Sequence, residues 1–153
     1  MKKKDPRHRA REAALQILYQ WEIGKTGVEH ASETFFTHQW GSADRPADDL
    51  KAFATALAQE TVARLDAIDP LIADTAERWR PERMAVLDRL VLRMATCELL
   101  RNLGANGGTG ATPAPVIINE ALELARTFST EESVKFINGM LDAIRKKLEM
   151  NQR

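Results

Sequence analysis

Between Pro6 and Gly24 apolar side chains fall at Ala10, Ala13, Ala14, Ile17, Leu18 and Trp21, and steps of three and four keep them on one face of a helix. Asp5-Pro6 supplies a start, since aspartate caps free amides and proline suits the first turn; Gly24 and Gly27 supply the stop. A second helix is predicted from Val28 to Trp40. A third is predicted from Ala47 to Ile68, with Leu50, Phe53, Ala54, Leu57, Val62 and Leu65 as its buried side. Asp69-Pro70 then restarts the chain as a short helix to about Arg78. Arg80-Pro81-Glu82 is another start, and Met84, Leu87, Leu90, Val91, Met94 and Leu99 carry the spacing on to Leu103. The stretch GANGGTGATPAP, residues 104–115, holds four glycines and two prolines and is predicted to be a flexible loop. Val116 to Phe128 forms the next helix, and Ser129 to Glu132 fits an S-x-x-E capping box. Phe136, Ile137, Met140, Leu141, Ile144 and Leu148 make the last apolar face. With no run of alternating apolar and polar positions, the chain is predicted to be all-α, with about seven helices.

Composition limits how these helices assemble. At 153 residues, 44% hydrophobic, the chain is of single-domain size and can bury a proper core. The expectation is one domain over residues 1–153, built of two packed helical halves that meet near Asp69, with a flexible basic end at 1–5 and a tail at 150–153. Cys97 is the only cysteine, so there is no internal disulfide framework and a reducing, cytoplasmic setting is expected. No stretch of about 18 uncharged apolar residues is present to span a bilayer, and Arg9, Arg11 and Glu12 stand where a signal peptide would need an apolar core.

Charge adds what periodicity does not. The 22 basic and 22 acidic side chains cancel, so attraction to a polyanion has to come from their distribution. Lys2, Lys3, Lys4, Arg7, Arg9 and Arg11 face only Asp5 and Glu12 in the first twelve residues. If the helix runs back to Lys4, then Lys4, Arg7, His8 and Arg11 share one face while Ala10, Ala13, Ile17 and Trp21 lie on another. Such a helix can dock by its apolar side and present cations to phosphate, which the arginine fork suits. The alternative is a frayed tail whose lysines only aid solubility. About five such cations on the phosphates of a single strand would give a slope of log affinity against log salt of roughly −3.5. A second patch is Phe128, Lys135 and Phe136, where rings beside a cation could stack on unpaired bases; the alternative there is that both rings belong to the core.

The search for chemistry excludes more than it finds. His8, His30 and His38 lack the three- or four-residue spacing of metal ligands on a helix. No phosphate-binding glycine loop and no nucleophile elbow occur. The pairs Asp66 with Asp69 and Glu120 with Glu123 read as solvated carboxylates, and Cys97 as a small buried residue. The expectation is a non-enzyme without metal or cofactor.

Three stretches carry a resemblance: RHRAREAALQILYQW (7–21), DRLVLRMATCEL (88–99) and PVIINEALELARTFSTEESVKFINGMLD (115–142). In that order they resemble the NusB family of bacterial transcription antitermination factors. The resemblance implies two helical bundles, no catalysis, and binding of boxA RNA in ribosomal-RNA leader transcripts together with the ribosomal protein NusE, the pair recruiting other Nus factors to RNA polymerase. By position, the RNA surface it implies is Lys2, Lys3, Lys4, Arg7, Arg9 and Arg11, with Phe128, Glu132, Lys135 and Phe136, and the NusE surface lies on the helix that holds Asp88 and Arg89. The chain departs from the family pattern in its long glycine-rich loop, in Cys97 where an aromatic is common, and in His8, whose charge depends on pH. A homodimer formed through the basic helix would hide the RNA surface. Two other functions fit the same helices: a scaffold that binds only protein, and a stand-alone relative of the RNA-binding domain of ribosomal-RNA cytosine methyltransferases. Against the latter stand the chain's end at Arg153 and the lack of a glycine fingerprint for a methyl donor.

Overall fold

The computed structural model describes residues 6–39, 48–76, 84–104 and 112–151. Among them the chain forms seven α-helices and a π-helical turn, with no strand: α1 Pro6–Gly24, α2 Val28–Thr34, the turn Phe35–Gln39, α3 Asp48–Ala63, α4 Leu65–Thr75, α5 Val86–Gly104, α6 Ala114–Phe128 and α7 Glu131–Met150. The fold is all-α, as the periodicity predicts. The chain divides into two compact units between Ala63 and Arg64. Lys2, Lys3, Lys4, Asp5, Trp40, Ala47, Arg80-Pro81-Glu82 and the middle of the glycine-rich loop lie outside the described residues.

In the first unit α1 packs along α3, with α2 against both. Ala10, Ala13 and Ala14 of α1 and Ala54 and Ala58 of α3 are all at most 1% exposed. Their small side chains let two backbones come close, while Ile17, Leu18 and Leu57 fill the space alongside. Gly24 is the last helical residue, but the left-handed position that follows falls on Lys25, at φ 53°. The helix expected to reach Trp40 is regular only to Thr34. Beyond it the turn widens over Phe35–Gln39, where Phe35 is buried and Phe36 packs edge-on to it at 5.1 Å between ring centroids.

The break after α3 is not where the sequence predicts it. Arg64, at φ −104° and ψ 15°, interrupts the helix, and its carbonyl accepts from the amides of both Ala67 and Ile68 at 2.9 Å. Asp69-Pro70 does not restart the chain but lies inside α4. Proline removes one donor there, to the carbonyl of Asp66 one turn back, and both residues are exposed to water that can replace it. Positions 57, 61, 65, 68 and 72 run in unbroken helical steps through the true break, so periodicity does not register it.

In the second unit α5 packs against α4, α6 and α7, and α7 also against α4 and α6. Every residue from Leu90 to Leu99 is buried, Cys97 among them. A helix enclosed in this way has no solvated face on which to place its charges. Arg93 is therefore paired: its Nε and one terminal nitrogen donate to the two carboxylate oxygens of Asp69 on α4, each at 2.9 Å. The described part of α5 begins at Val86, with Met84 and Ala85 non-helical, so Arg80-Pro81 is not its start. The α6 helix begins at Ala114, two residues before the predicted Val116. The Asn102 side chain donates to the Thr112 carbonyl at 2.6 Å, tying together the two ends of the glycine-rich stretch.

Candidate nucleic-acid interface

The predicted site residues fall in both units, and each group has its own geometry. On α1, Arg7 is exposed, Arg9 half-buried and Arg11 only 4% exposed. Arg7 and Arg11 are one turn apart, and both guanidinium carbons lie over the ring of Phe53 on α3, at 4.2 and 5.3 Å from its centroid. A cation over an aromatic face is attracted by the ring quadrupole, and the long arginine stem can stay buried beneath its charged head. Phe53 thus holds the start of the basic helix to α3. His8 contacts Glu12 at 2.9 Å, one turn on. The face expected to be a solvated stripe is therefore graded, with cationic groups running from exposed Arg7 to buried Arg11.

The other group sits where α6 turns into α7. Phe128 ends α6, half-buried; Ser129 and Thr130 are extended; Glu132 and Lys135 are exposed and Phe136 half-buried on the first turns of α7. Neither ring is a fully enclosed core residue. The cap of α7 is Thr130 and not Ser129: its Oγ1 accepts from the Ser133 amide at 3.1 Å. Ser129 is drawn away by a stronger acceptor. Its hydroxyl donates to Oδ1 of Asp88 at 2.8 Å, and the Ser133 hydroxyl donates to Oδ2 at 2.7 Å. Thr130 Oγ1 in turn donates to Ser133 Oγ at 3.1 Å. These bonds join the carboxylate of α5 to Ser129 and Ser133 directly and to Thr130 through Ser133.

Asp88, expected on a partner-facing surface, is 8% exposed and has both oxygens engaged in this network; Arg89 beside it is half-buried. A cleft of about 280 Å³ opens at the same corner, lined by Met84, Asp88, Thr130, Glu132, Ser133 and Phe136 among others. It brings Asp88, expected on the NusE surface, together with Glu132 and Phe136, expected on the RNA surface. Phe53, Thr130 and Ser133 are the members that sequence reasoning missed. Of these only Thr130 had a local signal, its three-residue spacing to Ser133. Among the described residues no group of three or more His, Cys, Asp or Glu side chains could hold a metal ion, and no helix is long and apolar enough to cross a membrane.

The α6–α7 corner taken by itself suits a ligand with both phosphates and unpaired bases. Lys135 supplies charge, Phe136 a ring, and Glu132 an acceptor that phosphate would repel but a base amino group would not. Likeness to known proteins extends over most of the chain. The NusB family model matches residues 8–146. The transcription antitermination protein NusB of Solibacter usitatus (strain Ellin6076) is 46% identical over 142 residues, covering 93% of this chain and 90% of that protein. A solved NusB from T. maritima superposes with a TM-score of 0.76 at 34% identity, covering 94% of this chain and 93% of its own. The fold is shared as well with a crystal structure of antitermination factors NusB and NusE in complex with dsRNA, at TM-score 0.75 and 22% identity, over 93% of this chain and 97% of that one. The chain belongs to the NusB family.

Proposed function

We propose that this chain is a non-catalytic, cytoplasmic antitermination factor that binds boxA RNA of ribosomal-RNA leader transcripts together with NusE. The pair then recruits other Nus factors to RNA polymerase. The observation that carries the reading is the α6–α7 corner, where a half-buried ring, a carboxylate and an ammonium stand within two helical turns beside an open cleft. Family membership and the fold shared with a NusB–NusE complex on RNA support it.

The division of labour follows from the chemistry. Arg7 and Arg9, with Lys2, Lys3 and Lys4 ahead of them, attract phosphates without regard to sequence. Selectivity comes from the corner, with Phe136 stacking on a base, Glu132 accepting from a base amino group and Lys135 taking an adjacent phosphate. NusE docks on a separate face that includes Arg89.

A filter-binding titration with boxA RNA and a scrambled RNA of equal length, each with and without NusE, tests this. The chain alone is expected to hold both RNAs weakly, and NusE to raise the affinity for boxA well above that for the scrambled strand. If neither RNA is retained under any of these conditions, the chain is a protein-binding scaffold.

A further inference from the structure

A hydrogen-bond network lies beneath the α6–α7 corner. Asp88 is a carboxylate only 8% exposed on α5. It accepts one hydroxyl from each side of the α6–α7 junction, Ser129 just after α6 and Ser133 in the first turn of α7. The Ser133 hydroxyl also receives the bond from Thr130, whose oxygen caps α7 through the Ser133 amide. The carboxylate acceptor makes the two bonds to Asp88 stronger than a neutral pair would be, and linked bonds polarise one another.

We infer that Asp88 is a positioning residue for RNA recognition: it fixes the corner so that Glu132 and Phe136 face the cleft together, and it neither touches the RNA nor binds NusE. This rests on the reading of the corner as an RNA surface. The geometry favours positioning over contact because both oxygens are already engaged within the unit. Ser129 and Ser133 lie 41 and 45 residues from Asp88 in sequence, so the network reports how the second unit packs and not a local turn preference. With the network loosened, Ser129 and Ser133 regain rotamer freedom and the first turn of α7 loses its tie to α5, a cost that RNA binding would have to meet.

The test compares boxA RNA affinity in the full chain for Asp88→Asn, Ser133→Ala, Phe136→Ala and the two double variants that carry Phe136→Ala. The serine variant guards against misfolding, since it removes only one hydroxyl from a helical position. Asp88→Asn and Ser133→Ala are each expected to weaken binding about fivefold to tenfold, the scale of the net contribution of one hydrogen bond. The slope of affinity against salt should not change, because no phosphate contact is removed. In the Phe136→Ala background each effect should largely vanish, as for residues that act through one another. Unchanged affinity in both single variants while Phe136→Ala weakens binding would overturn the positioning role alone. So would full additivity, or a loss confined to NusE affinity, which would return Asp88 to a partner surface. If Phe136→Ala itself has no effect, the RNA reading of the corner fails and takes this inference with it.

Discussion

Lys25 holds a backbone conformation that an L-residue with a side chain adopts at a cost, φ 53° just past the end of α1. Glycine would sit there without the steric conflict, so Lys25→Gly is expected to raise stability by up to about 1 kcal/mol, less the extra freedom it lends the unfolded chain. Thermal denaturation would show a higher midpoint. Arg7 and Arg11 share Phe53 yet differ in exposure, so their substitution should separate two properties. Arg7→Ala is expected to flatten the salt dependence of RNA binding by about 0.7 in slope, one phosphate contact on a single strand, and to lower the melting point less than Arg11→Ala because water screens the exposed Arg7 over Phe53. Arg11→Ala should instead destabilise the fold by about 1 kcal/mol, through lost cation–π attraction and a lost buried stem. The six cations were legible in the sequence as a cluster. The grading of Arg7, Arg9 and Arg11 was not, because it depends on where Phe53 of another helix comes to rest.

At the scale of elements, α4 and α5 are joined by the two-pronged pair of Asp69 and Arg93. Asp69 is a third exposed, with its side chain at 33% against 11% for Arg93. Removing it should therefore cost less than breaking a fully buried pair: Asp69→Ala is expected to destabilise by about 2 kcal/mol, and adding Arg93→Met should recover much of that loss. Urea unfolding of the two single variants and the double variant gives the coupling directly. The start of α7 offers a cleaner case. Thr130→Ala removes the side chain that caps Ser133 and is expected to cost about 1 kcal/mol, the usual value of an N-cap. A capping-box motif in the sequence could locate this corner to within a residue. It could not say that Ser129 would give up the cap for a carboxylate on α5.

For the molecule as a whole, the formal charge is zero, so salt-dependent RNA binding has to reflect a local cluster. About five phosphate contacts would weaken binding roughly a hundredfold between 50 and 200 mM salt, whereas a neutral surface would show almost no change. Filter binding over that range measures it. Stability should be uneven too. In α5 every side chain from Leu90 to Leu99 is buried, and its amides are expected to exchange with solvent last, well after those around Lys25. Hydrogen exchange followed by mass spectrometry would show the order.

By itself the amino-acid sequence determined the helical class, the approximate reach of the helices and the stretches 7–21, 88–99 and 115–142 that carry the family resemblance. It could do so because helical period is a local property: each apolar face repeats at three- and four-residue steps whatever it later packs against. Only the tertiary structure decided that Asp88 looks inward to Ser129 and Ser133, that Phe53 lies beneath two arginines, and that the break falls at Arg64 instead of Asp69-Pro70. A carboxylate or a ring can be satisfied by any suitable group that packing brings within reach. At separations of 41 residues or more that choice belongs to the assembled helices, and the spacing of residues along the chain carries no record of it.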